Sequence, residues 1–188
     1  SQIRQGWPNQ PLRLYGAGAD SGTFDYFTEA IVGKAKAIRT DYQPTEDDNV
    51  TIKGVAGDTY AMGFLGYAYY EENKDKVKAV AIDHGKGCVL PSRETVLDGT
   101  YQPLSRPLFI YVNVKSLDRP EVQAFVDFYL SPAARRAIRS TGYVELPSEA
   151  YRIGQELVKR RKAGTFFMEL PAGTPLSKFI QELDKELR

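Results

Sequence analysis

The sequence holds one cysteine, Cys88, one histidine, His84, and one tryptophan in 188 residues. A single cysteine excludes an intrachain disulfide and leaves the redox compartment unread. Cys88, in Gly87-Cys88-Val89-Leu90-Pro91, is expected to be a small, partly buried residue rather than a nucleophile. One histidine and one cysteine cannot make a His/Cys-rich zinc site. A Ser–His–Asp triad would have to use His84, which lies in the turn-like run His84-Gly85-Lys86-Gly87. The sequence lacks a Gly-x-x-x-x-Gly-Lys-Ser/Thr loop, which argues against P-loop nucleotide chemistry. Gly18-Ala19-Asp20-Ser21-Gly22 is not the Gly-x-Ser-x-Gly elbow of hydrolases. No run approaches the roughly 20 apolar residues of a membrane span. The opening, Ser1 to Pro8, does not read as a signal peptide, so any export leader is expected outside this sequence. With 25 basic and 24 acidic residues, net +1, the chain has no bulk pull toward nucleic acid or membrane.

What is present is an ordinary globular composition, 42% hydrophobic and 26% charged. A chain of this length can bury roughly 70% of its unfolded surface. The most informative stretch is near the start. Leu12-Arg13-Leu14-Tyr15 reads as a short strand, Gly16-Ala17-Gly18-Ala19 as a turn, and Asp20-Ser21-Gly22-Thr23 as the opening of a helix. Phe24, Phe27 and Ile31 recur at helical spacing, and Gly33 stands where a helix would stop. The first N–H groups of a helix lack internal partners and carry the positive end of its dipole. Gly22 leaves the backbone open, and Ser21 and Thr23 add hydroxyls, so the run can cradle an anion. The same residues also serve an ordinary N-cap, and on these four alone that plainer role carries more weight.

Further along, Lys34 to Gln43 reads as loop and Thr45-Glu46-Asp47-Asp48-Asn49 as a solvated helix start rather than a metal site. Ala61 to Tyr67 and Val77 to Asp83 are strand candidates, and Pro107 to Val112 is strongly β-prone. Tyr67, Tyr69 and Tyr70 suggest packing more than a stacking platform for bases or sugars. Ser92 caps a short helix over Pro91 to Leu97. Helices are expected at Pro120–Leu130, from Ser131-Pro132 to near Gly142, at Ser148–Lys162 and at Leu176–Leu187, with a linker over Gly164–Thr174. Strands alternating with helices, then a helix-rich end, argue for α/β layering.

Three runs in one order carry a resemblance. Tyr15 to Glu29 contains Ala19-Asp20-Ser21-Gly22-Thr23-Phe24. Gly54-Val55-Ala56-Gly57-Asp58 continues to Gly63-Phe64-Leu65-Gly66-Tyr67-Ala68-Tyr69-Tyr70. Asp98-Gly99-Thr100-Tyr101 leads into Pro103-Leu104-Ser105-Arg106-Pro107-Leu108-Phe109-Ile110-Tyr111-Val112. Together they resemble the phosphate-binding proteins of high-affinity ABC phosphate transporters, the PstS family. The resemblance implies a type II periplasmic-binding-protein-like fold, an α/β lobe with a mixed sheet flanked by helices, with the first lobe segment missing. Residues 1–105 are then expected to form the second α/β lobe with the anion-binding strand–turn–helix. Residues 106–188 are expected to be the returning strand and a helix-rich C-terminal portion.

The resemblance further implies inorganic phosphate as ligand, bound without catalysis by Ser21, Gly22 and Thr23, with Asp20 beside them. It implies no cofactor, no metal and no nucleic acid. Membrane permease subunits are the implied partners, at a periplasmic or extracytoplasmic location. Many relatives carry an Arg four residues before this Ser and an Asp two residues after that Arg, where this sequence has Ala17 and Ala19. Arg13 and Arg106 are the nearest alternative cations in sequence. An incomplete site is expected, with self-association as one way to cover the missing lobe. Two rivals remain at this stage: a ligand-free interaction or sensor module on the same fold, and a phosphate-ester hydrolase.

Overall fold

The computed structural model describes residues 4–164 and 170–188. The chain forms two compact units, Ser1–Val80 and Ala81–Arg188. In the first, β1 (Arg13–Ala17), β2 (Tyr42–Thr45) and β3 (Ala61–Phe64) make a parallel sheet in the order β2-β1-β3. Leu14 stands opposite Tyr42 on one side and Met62 on the other. Parallel neighbours need crossover connections. These are α1 (Gly22–Val32), between β1 and β2, and α2 (Asp48–Ala56), between β2 and β3. A short α3 (Tyr67–Glu72) follows β3. Each helix begins where a strand ends, so all three start at the carboxyl edge of the sheet, where open α/β sheets place their ligands.

The core of this unit is built from facing small and large side chains. Phe24 and Thr28 of α1, Thr51 and Ile52 of α2 and Ala17 of β1 are buried. Phe27 stacks on Phe64 with ring centroids 4.1 Å apart. Gly33 ends α1 in the left-handed region (φ 75°), its N–H donating to the Glu29 carbonyl, as its position predicted. Ile31 is half exposed, at the edge of the packed face.

The second unit opens on a hairpin, β4 (Ile82–Asp83) with β5 (Cys88–Val89), followed by α4 (Arg93–Leu97). The Asp83 carboxylate accepts the N–H groups of Gly85 and Gly87, which closes the expected turn around His84. Ser92 and Thr95 form a reciprocal capping box at the start of α4. A 3₁₀ turn over Val114–Asp118 precedes α5 (Pro120–Tyr129), α6 (Pro132–Ser140), α7 (Ser148–Lys159) and α8 (Leu176–Leu187). The prolines stand at the first positions of α5 and α6, where no N–H is missed. Leu117, Val126, Ala134, Tyr151 and Ile153 are buried, and α8 packs along α7.

Several expectations give way. Tyr42 and Gln43, read as the end of a loop, and Thr45, read as a helix start, belong with Pro44 to the edge strand Tyr42–Thr45, a place that tolerates a proline. The strand expected over Ala61–Tyr67 stops at Phe64, and the tyrosines belong to α3, where the Tyr67 hydroxyl donates to Glu71. Only Ile82 and Asp83 of Val77–Asp83 are in a ladder. Pro107–Val112 is in no strand among the described residues, although Leu108 and Tyr111 are exposed apolar side chains. β-propensity selects a pleated shape, but a strand exists only where a neighbouring backbone pairs with it. Cys88 is exposed rather than partly buried, in a two-residue hairpin strand. The expected linker over Gly164–Thr174 lies partly outside the described residues.

Candidate functional site

The site is built on the junction between β1 and α1. Ser21 is the N-cap, with extended backbone (φ −94°, ψ 129°), and its Oγ accepts the Thr23 N–H at 3.2 Å. Its own N–H donates to the Gly18 carbonyl at 3.0 Å, which folds the Gly18–Ser21 turn. The Asp25 N–H donates to the Ser21 carbonyl, closing the first helical turn. The N–H groups of Gly22 and Phe24 have no acceptor among the described residues. Among the same residues the Thr23 hydroxyl makes no hydrogen bond and the Ser21 hydroxyl proton has no acceptor. At the positive end of this 11-residue helix Gly22 is exposed, Ser21 and Thr23 are half-buried and Phe24 is buried.

The loop after β2 borders this turn. The Gly18 N–H donates to the Thr45 carbonyl at 3.1 Å, and the Tyr42 hydroxyl lies 3.5 Å from the Ala17 carbonyl. The Glu46 carboxylate lies against Gly18, in the space a Cβ there would fill. Asp47 caps α2, accepting the Asn49 N–H at 2.9 Å. Burial, with Asp47 and Glu46 nearby, pushes the Asp48 carboxyl above the usual carboxylate range. Burial and then Glu46 push the Tyr42 phenol up. Despite these neighbouring acids, no group of three or more His, Cys, Asp or Glu side chains among the described residues is arranged to hold a metal. A cavity of about 160 Å³, lined by Tyr15, Phe27, Tyr42 and Phe64 among others, opens on the sheet. Its walls are apolar, and it does not include the hydroxyls at the start of α1.

The sequence-predicted residues fall as follows. Ser21, Gly22 and Thr23 are consecutive at the start of α1. Asp20 is exposed, and its carboxylate has no hydrogen-bond partner among the described residues. Arg13 stands at the opposite end of β1, paired with Asp58 at 3.1 Å. Arg106 belongs to the second unit. His84 is exposed in its hairpin turn, also in the second unit, and no histidine bonds to Ser21 among the described residues. Sequence reasoning missed Glu46 as a neighbour of the turn. No local pattern announces it, because its approach to Gly18 depends on β2 pairing beside β1.

Comparison with known proteins adds the family context. Residues 1–133 match the family described as the PBP superfamily domain. Protein SphX of Synechocystis sp. is 50% identical over 184 residues, 95% of this chain and 54% of that protein. The phosphate-binding protein PstS of Staphylococcus haemolyticus is 35% identical over 152 residues, 80% of this chain and 46% of that protein. The crystal structure of "a possible phosphate binding protein" from Planctomyces limnophilus matches with a TM-score of 0.70 and 43% identity, over 86% of this chain and 58% of that one. The chain thus spans about half the length of the curated relatives it matches.

Proposed function

Because this chain belongs to the PBP superfamily, we propose that it is part of the solute-binding component of an ABC phosphate importer. Inorganic phosphate is held at the start of α1 and released unchanged, with no chemical step. The observation that carries the reading is the unclaimed donor set there: the Gly22 and Phe24 N–H groups and the Ser21 and Thr23 hydroxyls. Such an array replaces part of an oxyanion's hydration shell, and the helix dipole adds to it. The PstS relatives are phosphate-binding proteins and the solved neighbour is described as a possible one, which supports the same ligand here.

A helix end facing water holds an anion weakly, because the solvent screens it. These donors therefore act as one side of a clamp, and a facing lobe supplies the other. That lobe belongs to the fuller protein, or a second copy of this chain covers the gap. Residues 1–105 form the anion-binding lobe and 106–188 the returning portion. The partners are membrane permease subunits, and the location is extracytoplasmic. Among the described residues no helix is long and apolar enough to cross a membrane.

Calorimetric titration with phosphate, with sulfate as control, tests this. Amide shifts of Gly22 and Thr23, followed by NMR, locate the binding. Phosphate-selective heat with shifts confined to the start of α1 is the expected outcome. Silence toward every oxyanion at millimolar concentration favours the ligand-free module, and turnover of a phosphate ester favours an enzyme.

A further inference from the structure

We propose that Lys36 is the cation of this anion site, delivered to the first turn of α1 by the loop that follows the helix. The inference rests on the oxyanion reading above. Neutral donors alone face an unfavourable local charge here. Asp20 precedes the cap, Asp25 lies in the first turn, and Glu46 rests on Gly18. Ala17 and Ala19 bring no charge. Arg13 is committed to Asp58 at the far end of β1, about 13 Å of strand away.

Lys36 is placed differently. Its Nζ is 3.9 Å from Asp25 Oδ1. Asp25 follows Ser21 by four residues, so the two share a helix face, one turn apart. The backbone of Lys36 is pinned: its N–H donates to Thr28 Oγ1 at 2.7 Å, and Thr28 is 2% exposed. Thr28 Oγ1 is itself anchored to α1, donating toward the Phe24 carbonyl at 2.9 Å. Lys36 holds this position in the left-handed region, at φ 65°.

The side chain, by contrast, is free to move, being 62% exposed. Its ion pair with Asp25 includes no hydrogen bond, and Asp25 Oδ1 accepts none from any described residue. The pair is long, and only the lysine side of it is well exposed, because Asp25 Oδ1 itself is buried. A lysine ammonium on a flexible stem can therefore turn from Asp25 to an oxyanion at the Gly22 N–H while the loop stays fixed. The geometry points to a charge that Asp25 stores beside the site and that the ligand recruits.

The test is a set of phosphate titrations, at low and moderate salt, of the wild-type chain and of Lys36→Gln, Lys36→Arg, Asp25→Asn, Lys34→Gln and the Asp25→Asn/Lys36→Gln double variant. Lys36→Gln is expected to weaken phosphate about tenfold and to flatten the salt dependence. Lys36→Arg restores binding. Lys34, exposed on the same loop and in no ion pair among the described residues, is neutral when changed. Asp25→Asn tightens binding by releasing Lys36. If Lys36 only neutralises Asp25, the double variant binds as the wild type does, and the proposal is overturned. If Lys36 reaches the anion, the double variant is weaker than Asp25→Asn by the same tenfold and stays weaker than the wild type, because Asp25→Asn alone gains less than tenfold. Unchanged binding in Lys36→Gln overturns this inference and leaves the oxyanion reading standing. A wild-type chain that binds no phosphate overturns both.

Discussion

The Cγ2 methyl of Thr51, a residue with no exposed surface, stands over the Cα of Gly63, where α2 crosses β3. A Cβ on Gly63 would lie 2.9 Å from that methyl, 3.1 Å from Val55 Cγ2 and 3.3 Å from the Tyr15 carbonyl oxygen. None of the three is the loose end of a long side chain. Gly63→Ala is therefore expected to cost about 2 kcal/mol through overpacking. Denaturant unfolding checks it: the midpoint falls while the slope stays the same. Oxyanion binding below the transition should be unchanged.

Gly18→Ala should behave differently. The group in the way is the end of the exposed Glu46 side chain, which can swing aside. Gly18 does not occupy the left-handed region, so alanine adds no backbone strain. Stability is expected to stay within about 0.5 kcal/mol of wild type. A loss as large as that of Gly63→Ala would show Glu46 to be rigidly fixed over the turn.

Ser21 and Thr23 separate structure from recognition. Ser21 Oγ already caps α1, so Ser21→Ala should lower stability by about 1 kcal/mol and also weaken phosphate. The Thr23 hydroxyl has no structural bond among the described residues, so Thr23→Ala should weaken phosphate with little change in melting temperature. The double variant is expected to fold and to lose the anion. Thermal melts beside calorimetry decide this, and retained affinity in the double variant would move the site elsewhere.

Glu145 gives a pH-dependent prediction in the second unit. Its Oε1 accepts from Arg93 at 2.5 Å and Arg139 at 3.0 Å, tying α4 to α6. Burial alone would raise its carboxyl, but the hydrogen bonds from Arg93 and then Arg139 outweigh it and hold the group below the usual carboxylate range. A depressed acid contributes stability that is present above its unfolded value, near pH 4.3, and lost as pH falls through the folded one. Glu145→Gln should cost about 1 kcal/mol at neutral pH and flatten the acid limb of the stability profile. An unchanged slope below about pH 5 in that variant would remove Glu145 from the account.

Local signals explain what the sequence made legible. Ser21, Gly33, Ser92, Pro120 and Pro132 each act through their own few neighbours, and the helices they open or close stand where their positions predicted. The strand–turn–helix with Ser21, Gly22 and Thr23 was legible for the same reason. What failed depended on distant partners. Gln43-Pro44 looks like loop until β1 pairs beside it, and Leu108 to Tyr111 looks like a strand though no ladder forms among the described residues. Tyr67 to Glu72 carries aromatic residues that suit either state, and the structure makes it a helix. Glu46 and Lys36 are invisible as neighbours of α1 because loop closure, not spacing, brings them there.

The parallel order β2-β1-β3 also bears on how such a protein can change over generations. Three helix starts hang from three separate loops at one edge, while Thr51, Gly63 and Phe64 hold the scaffold beneath. A charge lost from one loop can reappear on another without disturbing the sheet. Ligand preference and foldability are thus inherited by different residues, and selection can act on one while drift leaves the other alone.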